Sequence, residues 1–338
     1  MEDDVTIPVE YVQVIGEQLR SAGVDVEAWL SESGTSSAAL SNPEHLFRYP
    51  EFRKLVLGSL VAAREPALGL FVGERLVAAT HGLVGVAAAK SSTVRQALDF
   101  VERFARLRSS IVTISHEIGP REGRIIFTEG LPLGDIQRPI LEAVVLSIKN
   151  VLDEITMGAC QVREAAFPFE APEYAALARD IFGCRVRYGQ DWAGFTAPAD
   201  ILDVPLKLAD PAAFEEAASI CQRELDSIAA SESTSARVRR LLLEKQTGFP
   251  SLQVTARLFH VTPRTLHRSL VAEGTSFREL LESVRRTLAV EHLKSGRFSM
   301  EELAYRLGYT DVANFRRAFK RWEGVAPSEY RARRLRTP

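Results

Sequence analysis

The chain has 338 residues, which is enough for two domains that each bury an apolar core. Its net charge of −2, taken over the whole chain, argues against a nucleic-acid-binding protein. The charge is unevenly divided, however, because residues 236–338 carry 21 Lys and Arg against 10 Asp and Glu, whereas residues 1–235 carry 21 against 34. Net charges of +11 and −13 predict an acidic domain joined to a basic one that suits DNA phosphates.

The cysteines and the apolar runs exclude several other classes. Cys160, Cys184 and Cys221 are far apart, and neither they nor the six histidines have metal-binding spacing. We therefore expect free thiols, no metal and no cofactor. The N-terminal residues lack the apolar core of a signal peptide, and no apolar run reaches the ~18–20 residues of a membrane helix. The sequence predicts a soluble, cytoplasmic protein without a membrane partner.

The first 229 residues alternate between helical and strand patterns. Helical periodicity predicts three helices within 8–63 and further helices at 93–108, 136–157, 173–182 and 212–229. Alternating or β-rich runs predict strands at 111–118, 124–129, 160–167, 185–188 and 192–196. This mixture predicts an α+β or α/β domain.

Three stretches rich in small, polar or turn-forming residues carry no functional motif. Residues 68–90 are rich in Gly, Ala and Val but lack the spacing and the strand-to-helix frame of a phosphate-binding loop. We expect close packing of small residues there. Residues 198–211 should be irregular, and the polar, serine-rich residues 231–235 should form a linker.

Residues 299–322 show two helical patterns separated by a turn. Ser299 and Glu302 form a capping box at the start of the first helix, and Gly308 is placed to end it. Asp311 is a suitable N-cap for the second helix, which has two phenylalanines on one face and mainly basic side chains on the others. A short amphipathic helix followed by a basic one predicts a helix-turn-helix whose second helix enters a DNA major groove.

The same pattern occurs upstream in residues 252–274. The offset is 48 residues before the turn, 49 after it and 50 at the Glu-Gly pair that ends each second helix. The downstream turn and second helix should therefore each be one residue longer. Thr262 and Pro263 supply an N-cap and a first-turn proline. His260 stands where the other copy has Gly308, which is unfavourable if this position requires a positive φ.

Residues 276–296, between the two copies, have the spacing of one helix that begins with a capping box. About 18 residues would form a rod of about 27 Å. The two recognition helices, at about 263–273 and 312–323, could then enter successive major grooves, which lie about 34 Å apart on B-DNA. One copy alone would fit a helical bundle with a basic surface equally well. The duplication, the spacer and the charge together favour DNA binding.

The C-terminal residues 237–331 resemble the DNA-binding domain of the AraC family of bacterial transcription regulators. The resemblance is carried by Leu303-Ala304, Gly308-Tyr309, Phe315, Arg317, Phe319-Lys320 and the run from Gly324 to Arg331. It implies an all-α domain with two helix-turn-helix motifs. His260 and Ala313 depart from the family pattern, the latter at a position suited to a larger polar side chain.

The N-terminal half resembles the effector domain, named arabinose-binding-like, of one AraC subgroup. The residues that carry this resemblance are Gly82–Gly85, Ser92–Leu98, Arg106 and Phe182–Gly189. The resemblance implies small-molecule sensing and dimerisation, but not a sugar ligand, because the effectors of the subgroup are chemically diverse. The expected domains are 1–229 for sensing and dimerisation, a linker at 230–236 and 237–338 for DNA binding.

The positions that match the family's base readers also have suitable chemistry, since Arg reads guanine and Asn reads adenine through paired hydrogen bonds. The predicted DNA-contacting residues are Arg264, Thr265, His267 and Arg268 in the first motif and Ala313, Asn314, Arg316, Arg317 and Lys320 in the second. Arg278, Arg285 and Arg306 lie on supporting helices, where we expect phosphate contacts or ion pairs.

Residues 67–205 have enough apolar surface for a ligand pocket of a few hundred Å³. Arg103 and Arg106 are candidate contacts for an anionic effector, although solvated arginines explain them equally well. The alternative is a ligand-independent regulator whose N-terminal domain is a protein-interaction module. We expect a homodimer on double-stranded promoter DNA, because two monomers double the DNA footprint, and RNA polymerase is a further candidate partner.

No catalytic frame supports an enzyme. There is no Gly-x-Ser-x-Gly elbow, and the adjacent acidic pairs Asp153-Glu154 and Glu215-Glu216 do not face each other on a helix. We therefore predict no catalytic residues.

Overall fold

The computed structural model describes residues 5–231, 233–244, 248–295 and 298–334. The chain divides into two compact units, Met1–Asp226 and Ser227–Pro338. The first is a mixed helical and sheet domain, and the second is helical, as the sequence predicts.

The first unit begins with a helical layer. Its elements up to the main sheet are β1 (Thr6–Pro8), α1 (Val9–Ser21), α2 (Val26–Glu32), α3 (Ser37–Ser41), β2 (Leu46–Arg48), α4 (Tyr49–Ala63), α5 (Leu68–Arg75), α6 (Gly82–Lys90) and α7 (Val94–Phe104). The small antiparallel pair β1–β2 was not predicted, because three-residue strands leave no readable alternation in a sequence.

A five-stranded sheet forms the rest of this unit together with three helices. The elements are β3 (Val112–Ile118), β4 (Glu122–Glu129), α8 (Gln137–Thr156), β5 (Glu164–Ala166), α9 (Ala175–Phe182), β6 (Arg185–Arg187), β7 (Ala193–Pro198) and α10 (Pro211–Ser231). The strand order is β3-β4-β7-β5-β6, and only β5 and β6 are parallel. The domain is therefore α+β rather than α/β.

The glycine-rich stretch packs closely, as predicted. A Cβ added at Gly69 would lie 2.6 Å from the backbone of Pro139, and one at Gly73 would lie 2.9 Å from the carbonyl oxygen of Ala143. Only glycine allows α5 to approach α8 this closely, because even an alanine would overlap with the facing backbone.

Three boundaries differ from the sequence prediction. Only Glu164–Ala166 of the predicted strand 160–167 pairs in the sheet. The amphipathic pattern at 93–108 ends as an α-helix at Phe104 and continues as a 3₁₀ turn. The helices α10 and α11 (Thr234–Glu244) extend into the segment 230–236. The assignment of that segment as a linker, and of the domains on either side, stays a prediction.

The second unit is built from α11, α12 (Leu252–Leu258), α13 (Pro263–Ala272), α14 (Phe277–Ser295), α15 (Met300–Arg306), α16 (Val312–Glu323) and α17 (Pro327–Arg334). One continuous apolar cluster lies beneath all of α11 to α16. It includes Val238, Ala256, Leu266, Val284, Leu303 and Phe315. Because the spacer helix α14 contributes to the same core as both predicted recognition helices, the two motifs form one domain.

Taken singly, none of the helices in the described part of the chain is long and apolar enough to cross a membrane. The consecutive helices α4 and α5 together are long and apolar enough, but the chain bends by 112° between them.

Candidate DNA-binding surface

Each motif helix begins at a side chain that binds a free backbone N–H group. Thr262 Oγ1 accepts a hydrogen bond from the N–H of Thr265 at 3.1 Å at the start of α13, and Asp311 accepts one from the N–H of Asn314 at 2.7 Å at the start of α16. Ser299 and Glu302 form the predicted capping box of α15. These caps fix where both recognition helices begin.

The two turns open with the same backbone conformation, and the second turn is one residue longer, as predicted. The helix α16 has 12 residues and α13 has 10, a difference of two rather than the predicted one. Gly308 has φ 72° and His260 has φ 54°, so both lie in the left-handed region. In each turn, this residue and the next donate hydrogen bonds to carbonyls of the preceding helix: His260 to Arg257 and Val261 to Ala256 in the first turn, and Gly308 to Tyr305 and Tyr309 to Ala304 in the second. The alignment of His260 with Gly308 is therefore confirmed, and the histidine adopts a strained conformation there.

Apolar side chains hold each recognition helix against the core. Leu266 and Leu270 of α13 are almost fully buried, and Phe315 and Phe319 of α16 are completely buried. The polar faces of both helices consequently point to solvent, which is the arrangement that a groove-reading helix requires.

The predicted base readers lie on these outer faces. Arg264, His267 and Arg268 are exposed on α13, and Thr265 is half-buried. On α16, Ala313, Arg316, Arg317 and Lys320 are exposed, and Asn314 is half-buried. Within each helix the exposed set is spaced by three and four residues, so its members share one face. The structure thus leaves all nine residues on or at the edge of a solvent-facing surface, and their contact with DNA stays a prediction.

A polar chain orders part of the second surface. The carboxylate of Asp311 accepts hydrogen bonds from both the backbone and the side-chain amide of Asn314. The side-chain oxygen of Asn314, Oδ1, in turn accepts a hydrogen bond from the Arg317 guanidinium at 2.7 Å. Arg317 is therefore held in one orientation before any DNA arrives. The first surface is less constrained, since its reader Thr265 bonds only to the capping Thr262 hydroxyl, at 2.8 Å.

The supporting arginines bind protein groups. The Arg285 guanidinium donates to the Gly308 carbonyl oxygen at 3.1 Å and lies 4.8 Å from the Tyr309 ring, so it fixes the second turn. The guanidinium of Arg306 lies 4.2 Å from the Phe298 ring, and Arg278 forms an ion pair with Glu282 at 3.5 Å. Arg278 thus forms an ion pair of the kind expected, whereas Arg285 contacts a carbonyl oxygen and an aromatic ring and Arg306 an aromatic ring. Contact of these three residues with phosphates stays a prediction.

The repeated Glu-Gly pairs have an anchoring role that the sequence analysis missed. The Glu273 carboxylate, at the end of α13, accepts hydrogen bonds at 2.7 Å from the N–H groups of Thr234 and Ser235 at the start of α11. Although burial opposes it, these hydrogen bonds hold the pKa of Glu273 below its usual value. Glu323, at the end of α16, pairs with Arg286 of α14 at 2.6 Å. Each glutamate ties the end of a recognition helix to a supporting helix, and the repetition of the pair was the available signal.

The candidate effector residues lie elsewhere, in the first unit. Arg103 and Arg106 are both exposed, and Arg103 donates to the Gln222 side chain of α10 at 2.6 Å. Neither of them lines either of two open grooves found in this unit, which are lined by other residues. Their placement gives no support to an anionic effector at this point.

Comparison with known proteins identifies both halves. Residues 23–206 match the family described as the arabinose-binding domain of AraC transcription regulators, at their N-terminus, and residues 255–333 match a helix-turn-helix domain family. The chain belongs to the AraC family of transcription regulators. Members of this family are DNA-binding regulators rather than enzymes.

Several relatives align with this AraC-family chain over most of its length. The ornithine utilization regulator of Pseudomonas aeruginosa is 28% identical and aligns over 96% of both chains. The regulator VirS of Mycobacterium tuberculosis is 30% identical over 74% of both chains. The crystal structure of the regulator CdpR from P. aeruginosa has 25% identity, covers 95% of this chain and 97% of its own, and superposes with a TM-score of 0.46.

Proposed function

We propose that this regulator binds promoter DNA by placing α13 and α16 in successive major grooves of one duplex. The observation that carries the proposal is the pair of outer helix faces, each bearing exposed Arg residues above a fully buried apolar anchor. An exposed Arg can form two hydrogen bonds with guanine, and its charge also favours the phosphate backbone.

The test is selection of genomic fragments by the purified full-length protein, followed by affinity measurements on the recovered sites. Replacing Arg268 and Arg317 together by Ala should weaken binding to the selected site by roughly 2–6 kcal/mol, the sum of two base contacts of about 1–3 kcal/mol each. Arg179→Ala is the control, because Arg179 is exposed in the first unit and pairs with its sequence neighbour Asp180. Equal affinity of the double variant and the control would show that α13 and α16 do not contact DNA as proposed.

We further propose that the first unit senses a small organic effector and forms a homodimer. The match of residues 23–206 to an effector-binding family supports the first part. One relative is named for ornithine utilization, which makes ornithine a reasonable early probe. Cytoplasmic localisation and contact with RNA polymerase remain predictions.

Effector sensing and a ligand-independent interaction module can be separated by experiment. A sensing domain should change the DNA affinity of the full-length protein when its effector is added. Size-exclusion chromatography with light scattering tests the dimer directly, and a monomer at all accessible concentrations would contradict that part of the proposal.

A further inference from the structure

A buried carboxyl group that no part of the proposed DNA-binding role uses lies in the first unit. Glu142, on α8, is only 1% exposed. Its two oxygens accept hydrogen bonds from the Tyr174 hydroxyl, at 3.0 and 3.1 Å. Burying an ionisable group is costly, so a residue of this kind requires a reason beyond packing.

Three aromatic rings pack together in this part of the unit, and one of them, that of Tyr188, is close enough to Glu142 for the two groups to interact electrostatically. Phe167 and Phe169 stack with their centroids 5.1 Å apart, and the Tyr188 ring lies 6.0 Å from each of them. Tyr174 completes the set through its bond to Glu142. A carboxylate next to several aromatic faces is the combination that favours an organic cation, since ring quadrupoles and the negative charge attract it together.

One polar group of this cluster has no partner among the residues that the structure describes. The Tyr188 hydroxyl oxygen is inaccessible to solvent and forms no hydrogen bond with any of them. Burial, together with a smaller contribution from the nearby Glu142 carboxylate, raises the pKa of Tyr188 to about 12. A buried hydroxyl that lacks a partner costs roughly 1–3 kcal/mol, and it would be satisfied if a ligand N–H group donated to it.

The charge state of Glu142 is set mainly by burial. Burial raises its pKa to about 8, against the lowering effects of the Tyr174 hydrogen bond and of Arg138. The groups that face it are Arg138 on its own helix, Tyr174 at the start of α9 and Tyr188 after β6. In the free protein at pH 7 the carboxyl group is therefore largely neutral, and the arrival of a cation would favour its ionised form.

An open groove of about 690 Å³ runs beside this cluster. Phe169 of the aromatic cluster and Arg138, which faces Glu142, both line this groove. The Arg138 guanidinium lies 5.5 Å from the centroid of the Phe169 ring. Arg138 thus lies over an aromatic face that a ligand cation would use. Its side chain is exposed.

We propose that Glu142, Tyr174, Tyr188, Phe167 and Phe169 form an effector site for an aliphatic primary ammonium group. The ammonium group replaces the Arg138 guanidinium over Phe169, pairs with Glu142 and donates to the Tyr188 hydroxyl, while the aliphatic chain lies in the groove. The inference rests on the proposed sensing role of the first unit and specifies the chemical class that it senses.

The test is calorimetric titration of the full-length protein with 1,4-diaminobutane, L-ornithine and L-lysine. The counterparts are n-butanol, L-norvaline and L-norleucine, which keep the chain length but lack the terminal ammonium group. Of these, n-butanol is uncharged, and the two amino acids keep only their α-ammonium and α-carboxylate groups. We expect at least one of the amines to bind, and at least tenfold more tightly than its counterpart. Absence of binding by all three amines, or equal binding of the counterparts, overturns the proposal.

Variants locate the site. Glu142→Gln keeps the shape and a hydrogen-bonding group but cannot ionise, and it should weaken amine binding at least tenfold. Tyr188→Phe should weaken it severalfold while leaving the protein at least as thermally stable, because a purely structural hydroxyl without a partner contributes nothing. Glu164→Gln, on β5, is the carboxylate control and should bind as the original protein does. Amine binding that is unchanged in Glu142→Gln would place the site elsewhere and overturn the assignment.

A parallel DNA-binding assay separates this inference from the proposed function. If DNA binding is retained but no amine binds, the ammonium site fails and the regulator assignment stands. If amines bind at Glu142 but no promoter fragment is selected, the ammonium site stands and the DNA-binding proposal fails.

Discussion

The two helix-turn-helix motifs have similar backbone conformations but differ in how many hydrogen bonds orient the polar side chains on their outer faces. Both turns pass through a left-handed residue, and both recognition helices bury two large apolar side chains. The second motif has glycine in the turn, a charged cap and an arginine that is oriented by its neighbours, whereas the first has histidine in the turn and a hydroxyl cap. We infer that the two motifs have the same fold but different DNA-facing residues, so the two half-sites in DNA should differ in sequence.

The largest expected difference concerns the apolar anchors. Phe315→Ala should destabilise the second motif by about 3–5 kcal/mol, because it removes a fully buried ring that packs against Tyr309 and Phe319. Leu266→Ala should cost about 2–5 kcal/mol in the first motif. Hydrogen exchange of the full-length protein measures both through the protection of amides in α13 and α16. Since the two motifs share a core, loss of protection in only the mutated helix would contradict their description as one domain.

Reader substitutions test the difference in organisation. Arg317→Ala should cost DNA affinity near the upper end of about 1–3 kcal/mol, and Arg268→Ala near the lower end, because Arg317 is already oriented by Asn314. Asn314→Ala removes a predicted reader and also releases Arg317, so the double variant Asn314→Ala/Arg317→Ala should lose less affinity than the sum of the two single losses. Fluorescence anisotropy with a selected site provides the affinities. A larger loss for Arg268→Ala would reverse the comparison.

Cap substitutions should have a smaller effect. Asp311→Ala should destabilise α16 by about 1–2 kcal/mol, since its carboxylate binds two Asn314 groups and interacts favourably with the helix dipole. Thr262→Ala should cost nearer 0.5–1 kcal/mol in α13. Asp311→Asn keeps the hydrogen-bonding oxygen and serves as the control. Thermal unfolding gives the ranking, and equal losses for both alanine variants would show that the caps are equivalent.

The turn residues should give the smallest changes, with opposite signs. His260→Gly should stabilise the first motif by about 0.5–1 kcal/mol, because glycine adopts a positive φ without steric cost. Gly308→Ala should destabilise the second by about the same amount, and its new Cβ would lie 3.0 Å from the Arg285 guanidinium. Chemical denaturation measures both. If His260→Gly were destabilising, the histidine side chain would have a stabilising role that outweighs its backbone strain.

The C-terminal motifs were largely predictable from the sequence because their signals are local. Capping residues such as Ser299 and Asp311, and the spacing of Phe315 and Phe319, depend on neighbours within four positions. The duplication also aligned His260 with Gly308, and the positive φ that counted against this match is the conformation that both residues adopt. The anchoring role of Glu273 was not predicted, because its partners at Thr234 and Ser235 lie about 40 residues away in sequence and are brought close only by tertiary packing.

The first unit was less predictable, for the same physical reason. Its long helices, the β3–β4 hairpin and the strands β6 and β7 were found from the sequence pattern, whereas the three-residue strands β1 and β2 have too few positions for a clear pattern. The cluster around Glu142 gave no sequence signal, since its members come from α8, α9 and two segments that follow short strands. The sequence instead drew attention to Arg103 and Arg106, which are exposed.

The central claim is that two recognition helices read one duplex, and position-resolved specificity tests it most directly. The affinity of the original protein, Arg268→Ala and Arg317→Ala should be measured for a selected site in which each base pair is changed in turn. The account predicts that each variant loses discrimination at its own position and that the two positions lie about 10 base pairs apart, one helical turn of DNA. Loss of discrimination at the same position, or at neither, would contradict it.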